Sequence, residues 1–343
     1  MKVLAIESSC DDTSVAIVTS SREILALKTI SDLKMHQEFG GVVPEIASRN
    51  HLYYMEGLIH EVLQESKIRL QDLDAIAVTG GPGLIGGVLV GCSIAKALSA
   101  SASIPMIAIN HLEGHALTCR LTDNIDYPFL LLLLSGGHTQ IIAVKGLGDY
   151  NLIGSTIDDA VGECFDKVAR MLSFEYPGGP KIEEMAKRGD ENKFPLPHPL
   201  IKENNCNFSF SGLKTAVLRL TEKLNLEDEQ VICDLCASFQ KTVATILIDK
   251  LIKAEELYRS MIINPSKRLV IAGGVAANRY LYQSIELSMK AKLGYSIIAP
   301  PIKLCTDNAA MIAWAGIERF KRGESSDLSF HPKSIWPLNK INN

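Results

Sequence analysis

No run of lysine or arginine stands out anywhere in the 343 residues, and acidic side chains outnumber basic ones by 39 to 35, for a net charge of −4. A self-sufficient nucleic-acid binder usually shows a basic face or run, so composition announces no such partner. The positives are scattered, and Lys181, Lys187, Arg188, Lys193, Lys214, Lys267 and Arg268 read by default as solvated surface charge. Also missing is any uncharged apolar run of about 18 residues, so no membrane span is expected. The longest apolar stretch, residues 129–134, ends in Ser-Gly-Gly and reads as a buried strand. The eight cysteines lack a framework spacing and suit free thiols in a reducing cytosol. Only Cys233 and Cys236 have redox spacing, but they fall in a helical pattern and read as core positions. The chain opens directly on a strand, residues 2–6, which leaves no room for a presequence and points to the cytoplasm.

What is present suffices for a solid core. Apolar residues make up 47%, and the length suits two domains. Two stretches share one plan. Residues 3–18 read as strand, polar turn and strand; residues 129–144 repeat this with glycines at the tip. Each is followed by a further short strand and then helical material, which predicts two related α/β lobes around a cleft. The first lobe continues through a helix over 45–65, a strand over 75–79, a glycine run over 80–87 and a small-residue helix to Ser99. The second has helical material within 155–172, a loop at 176–180, a Pro- and Asn-rich stretch over 194–210, a long helix over 228–258 and a strand over 268–272. A last helix over 308–321 is placed to cross back to the first lobe. The expected division is 1–125 plus 309–343 against 126–308.

His111-Leu-Glu-Gly-His115 puts two imidazoles on one helical face, where both can reach one cation. In the zinc-protease pattern Glu directly follows the first His. Here Glu113 lies about 200° round the helix and faces away, so the pair suits metal binding but not metal-assisted peptide hydrolysis. Taken alone, the spacing is as easily a metal-free pair. Ser135-Gly-Gly-His138 and Gly273-Gly274 follow strands, where bare backbone N–H groups suit phosphate oxygens, although a Gly-Gly turn is more often only a turn. Gly81, Gly83 and Gly86 match the dinucleotide fingerprint. The next strand nevertheless ends in Ile109-Asn110 without the acid that would hold a ribose, so these glycines read as close helix packing. Gly212-Leu-Lys-Thr215 lacks the order of a phosphate-binding P-loop.

Several segments together resemble one family. They include Ile6-Glu-Ser-Ser-Cys-Asp-Asp-Thr13, the stretch from His36 through Pro44 to His51, the glycine run 80–87, His111 to His115 and Ser135-Gly-Gly-His-Thr-Gln140. Asp158-Asp-Ala-Val-Gly-Glu163, Phe165-Asp-Lys167, the loop 176–180, Phe208-Ser-Phe-Ser-Gly-Leu-Lys-Thr215, residues 273–279 and Cys305-Thr-Asp-Asn308 complete the set. Across nearly its whole length the chain resembles the bacterial TsaD family. The resemblance departs at Ala102, Ser103 and Ala116, which look like packing positions.

The resemblance implies the two-lobed fold of actin, sugar kinases and heat-shock chaperones, with a nucleotide cleft between the lobes. It implies transfer of the threonylcarbamoyl group from threonylcarbamoyl-AMP to the exocyclic amine of the adenosine 3′ of the anticodon, in tRNAs reading codons that start with A. The implied partners are tRNA and TsaB- and TsaE-type proteins, with a TsaC-type synthase making the adenylate. Metal ligands carry over to His111, His115 and Asp307, with Fe(II) favoured and Zn(II) as rival. Substrate binding carries over to Leu134, Ser135, Gly136, Gly137, His138, Asp166, Gly179, Glu183 and Asn278, of which Glu183 is a variable position in the family. Asp11, at the first hairpin tip, is a catalytic candidate for orienting the amine or a phosphate-bound water. Blander roles compete: Asp307 as a helix cap, Asn278 and Asp11 as turn residues, Asp166 as a surface acid. An ATP-hydrolysing or kinase-like enzyme of the same fold is the alternative activity, and a non-catalytic scaffold a further one.

Overall fold

The computed structural model describes residues 1–39 and 41–341. The chain divides into two compact units, Met1–Ile125 with Thr306–Asn343, and Asp126–Cys305. The division falls three residues before the expected one, so Asp307 and Asn308 lie in the first unit with the His pair.

In the first unit, β1 (Lys2–Glu7), β2 (Asp12–Thr19) and β3 (Ile24–Ser31) form an antiparallel meander. The short α1 (Leu33–Gln37) and long α2 (Pro44–Ser66) lead to β4 (Ala75–Gly81), α3 (Ile85–Ala102), β5 (Met106–Asn110) and α4 (His111–Thr122). The sheet order is β3-β2-β1-β4-β5, with β4 and β5 parallel to β1. Strand periodicity splits the core between two faces. Leu4, Ile6, Ile76 and Val78 join a cluster with Met55 and Leu58 of α2 and Val88 and Cys92 of α3. Val3 and Ala77 point the other way, against Gly316 of α10 (Ala309–Lys321), the helix contributed by the returning chain. Covered on both sides, β1 has no alternation of polar and apolar residues; its Val-Leu-Ala-Ile run is wholly buried.

The second unit repeats the plan. β6 (Phe129–Leu134), β7 (Thr139–Gly146) and β8 (Asp149–Ser155) form the meander. They are followed by α5 (Val161–Met171), α6 (Gly179–Ala186), α7 (Ser211–Thr221) and α8 (Glu229–Met261). Then come β9 (Arg268–Ala272), α9 (Arg279–Leu293) and β10 (Ser296–Ile298). The order β8-β7-β6-β9-β10 matches the first sheet strand for strand, with β9 parallel to β6 and β10 parallel to β9. Leu130, Leu132 and Leu134 pack with Phe165 of α5 and with Phe239 and Val243 of α8. Cys233 and Cys236 are buried in that core, and every cysteine is free.

Among the described residues two helices, α3 and α8, are long and apolar enough to cross a membrane, each with a mean hydropathy of 1.5 over its most apolar window. For α8 the burial of 72% of its most apolar window accounts for that composition, whereas in α3 only 33% is buried, and Ile85 and Leu89 are exposed.

Candidate functional site

Asn110 ends β5 and starts α4. Its Oδ1 accepts from the N–H groups of Leu112 at 2.9 Å and Glu113 at 3.4 Å, capping the helix, while its Nδ2 donates to the Trp336 carbonyl at 2.8 Å. His111 therefore occupies the first helical position, and His115 follows one turn later with its ring centre 4.8 Å away. Asp307 precedes α10, and the cap there is Asn308, which accepts from Met311 N at 3.1 Å. The capping reading of Asp307 is thus corrected, and its carboxylate turns to the imidazoles instead. Its Oδ1 lies 3.1 Å from His115 Nε2 and 3.4 Å from His111 Nε2. One ligand atom from each of the three residues falls within 4.8 Å of the others. Two imidazole nitrogens and one carboxylate oxygen, converging from mostly buried positions, fit a single divalent cation with coordination positions left open.

The electrostatics of the cluster are reciprocal. Burial opposes ionisation of Glu7, but the His111 charge and hydrogen bond outweigh it and hold the carboxyl below its ordinary value. Burial likewise opposes protonation of His111, yet the Glu7 and Asp307 carboxylates raise its pKa well above the usual imidazole range. Asp307 is held well below the carboxylate range despite its burial, chiefly by His111. Glu113 takes no part. It is fully buried and faces Arg319 of α10, with Nε to Oε2 at 2.5 Å and Nη2 to Oε1 at 2.9 Å.

The hairpin tip carrying Asp11 is pinned by three contacts, from α2 and from α3 with its capping residue. Ser8 Oγ donates to the Gly87 carbonyl at 3.0 Å, Leu84 N donates to the Ser9 carbonyl at 2.7 Å, and His51 Nε2 meets the Cys10 carbonyl at 3.0 Å. A Cβ on Gly87 would stand 2.4 Å from the Ser8 oxygen, so this glycine run does serve close packing. Burial, followed by the Asp11 and Asp307 carboxylates, pushes the Cys10 thiol well up, which sets Asp11 within electrostatic reach of the same group as Asp307.

In the second unit Leu134 is buried at the end of β6, and the turn Ser135 to His138 is closed by Ser135 N to His138 O at 2.8 Å and His138 N to Ser135 Oγ at 3.0 Å. Gly136 and Gly137 are exposed, with open space where a Cβ would be. The start of α5 joins this turn through Gly162 N to Ser135 O at 3.3 Å. Gly273, at φ +92, lies against Leu134, where a Cβ would come within 2.4 Å of its carbonyl oxygen. Asp166 of α5 accepts from Gly178 N at 2.8 Å, which ties it to the start of α6 beside Gly179. Glu183 of α6 accepts from Arg279 N at 2.9 Å. Asn278 caps α9 through Leu281 N at 3.0 Å, and its Nδ2 donates to Gln240 at 2.8 Å. Asp166 is therefore tied to the protein rather than a solvated acid, and the nine positions form a chain of linked helix starts and one glycine turn. Lys214 is not a solvated charge either; with Lys167 it clamps Asp159, each at 2.8 Å.

Sequence reasoning missed Glu7, Thr79, Asn110 and Gln240. The available signal was an acid at the end of an otherwise apolar strand.

A family profile described as TsaD: tRNA N6-adenosine threonylcarbamoyltransferase matches residues 23–314. The tRNA N6-adenosine threonylcarbamoyltransferase of Rickettsia rickettsii (strain Sheila Smith) is 56% identical over 344 residues, with 100% of both chains covered. That of Rickettsia bellii (strain OSU 85-389) is 54% identical, with 99% of each covered. Among solved structures, full-length HypF in its phosphate- and nucleotide-bound form matches with a TM-score of 0.61 at 15% identity, over 95% of this chain and 47% of that one. HypF of T. kodakarensis matches with a TM-score of 0.64 at 14% identity, over 94% and 48%. At such identities the two structures speak for the fold alone, a two-lobed α/β architecture.

Proposed function

The chain belongs to the TsaD family and is a transferase of tRNA modification, and from that premise we propose a specific reaction. The threonylcarbamoyl group of threonylcarbamoyl-AMP moves to N6 of the adenosine 3′ of the anticodon, in tRNAs reading codons that start with A. The N6–C bond forms, the bond from the carbamoyl carbon to the phosphate oxygen breaks, AMP leaves with the electron pair, and N6 gives up one proton. The amine is a poor nucleophile because its lone pair is delocalised into the ring, while the mixed anhydride is a good acyl donor. The protein then has to position the two and stabilise the developing oxyanion.

His111, His115 and Asp307 would hold one divalent metal, iron(II) in preference to zinc(II). A cation held there would supply Lewis-acid polarisation of the carbamoyl carbonyl or an anchor for the threonyl part. The exposed N–H groups of Gly136 and Gly137 would take phosphate oxygens, with Leu134, Ser135 and His138 shaping that turn. Asp166, Gly179, Glu183 and Asn278 would complete the donor-binding positions. Asp11 would orient the amine or a phosphate-bound water, and the proton that N6 gives up would pass to solvent. The exposed apolar residues Leu52 and Tyr53 on α2, with Ile85 and Leu89 on α3, give a TsaB-type partner a surface to cover, and a TsaE-type protein completes the set. Free thiols throughout are consistent with a cytoplasmic location.

The convergence of His111, His115 and Asp307 in a chain aligned end to end with its relatives carries this reading. Reconstitution with the partner proteins, the adenylate synthase, tRNA, threonine, bicarbonate and ATP, followed by nucleoside mass spectrometry, is expected to yield threonylcarbamoyladenosine. Alanine at any of the three ligands should remove most bound metal and most product. Full metal occupancy in both His111→Ala and His115→Ala would sink the assignment.

A further inference from the structure

Glu7 ends β1 with no exposure at all. A carboxylate so placed persists only where hydrogen-bond donors answer its charge. Three do so: Ser9 N reaches Oε1 at 2.6 Å, the Thr79 hydroxyl of the neighbouring strand β4 donates to Oε2, and His111 Nδ1 lies 3.0 Å from the same oxygen. Ser9 Oγ stands 3.0 Å from that Nδ1 as well. The two nitrogens of an imidazole point away from one another. With Nδ1 directed to Glu7, Nε2 is the nitrogen left for the side on which Asp307 and His115 converge, and it faces Asp307 at 3.4 Å.

We propose that Glu7 is a positioning residue of the metal centre. With a cation in place of the Nε2 proton, it would hold His111 as the Nδ1–H tautomer with the ring fixed and Nε2 as the ligating atom, while Thr79 and the Ser9 backbone hold Glu7 in turn. A carboxylate behind a ligating imidazole raises its basicity and removes its freedom to rotate. The sheet explains why the arrangement is rigid: Glu7 and Thr79 stand on adjacent parallel strands, and His111 opens the helix that leaves the next one. The inference rests on the metal reading of His111, His115 and Asp307. A purely structural role, a buried acid tying β1 to β4, would instead lower stability and leave the metal affinity of the folded chain unchanged.

Cobalt(II) titrated into the full chain separates these cases, with the dissociation constant read by chelator competition and ligand geometry by the visible d–d spectrum. Wild type should bind, and His115→Ala should not, which tests the metal reading by itself. Glu7→Ala is expected to weaken binding by about ten- to a hundredfold. Glu7→Gln, which keeps an acceptor but no charge, should fall between, and both should shift the spectrum. Thr79→Val should weaken binding alone yet add nothing to Glu7→Ala, because it acts through Glu7. Folding is checked by circular dichroism, and if Glu7→Ala does not fold, the Glu7→Gln and Thr79→Val chains decide. Wild-type affinity and an unchanged spectrum in folded Glu7→Gln overturn the proposal. Failure of wild type to bind, or full binding by His115→Ala, removes the metal reading and this inference with it.

Discussion

His51 shows how burial sets the behaviour of one side chain. It reaches from α2, with Nδ1 2.8 Å from the Thr13 hydroxyl and Nε2 3.0 Å from the Cys10 carbonyl. A carbonyl only accepts, so Nε2 carries the proton and the neutral Nδ1 accepts from Thr13. Burial pushes the pKa below its ordinary value, and His36 adds to this; the Cys10 carbonyl and the Glu7 and Asp11 carboxylates oppose it. The unfolded chain therefore takes up this proton first as pH falls, near the reference value of about 6.5. Stability from neutral His51 is complete above that value and is lost as pH drops from it towards the folded pKa. Denaturant midpoints should accordingly decline below about pH 6.5. His51→Gln, which cannot titrate, should flatten that decline while lowering stability at pH 8 through the altered contact with the Cys10 carbonyl. An acid limb of unchanged slope in His51→Gln would refute this account.

At the scale of elements, α4 and α10 are joined by the buried Glu113–Arg319 pair. Removing one partner of such a pair leaves the other uncompensated, so Glu113→Ala should cost about 3–5 kcal/mol in urea unfolding, whereas the double change Glu113→Leu, Arg319→Met should recover much of it. The folded fraction of Glu113→Ala should still bind metal, since that carboxylate faces away from the His pair. The helical angle alone foretold this direction, but not the partner 206 residues along the chain. The same limit governed the rest. Strands β1, β2, β6 and β7 were legible because apolar runs flank polar or glycine tips, and α8 because its pattern is long. Helix α6 was hidden, since Gly178, Gly179 and Pro180 spell a turn, yet proline also suits the first positions of a helix. Glu7 was missed although it is an acid closing an apolar run, because Thr79 and His111, 72 and 104 residues away, give it meaning, and no local pattern encodes them.

At the scale of the whole molecule, the first unit draws its candidate metal cluster from two stretches of chain, His111 and His115 before the second unit and Asp307 after it. The cluster therefore forms only once the chain has returned. The charges follow a similar economy, in that several of the scattered cations already sit in ion pairs. Lys167 and Lys214 hold Asp159, Lys181 pairs with Glu184 at 3.0 Å, and Arg188 pairs with Glu229 at 2.7 Å. With a net charge of −4, little free positive potential is left to attract a polyanion over distance. The isolated chain should thus bind tRNA weakly, and the partner proteins should tighten binding by adding contacts. Because whatever affinity exists comes from phosphate contacts that release counterions, it should fall steeply between about 50 and about 200 mM salt. Fluorescence anisotropy with labelled tRNA, run with and without the partners across that range, measures both effects. Tight binding by the chain alone that ignores salt would place recognition in uncharged contacts and contradict this reading of its surface.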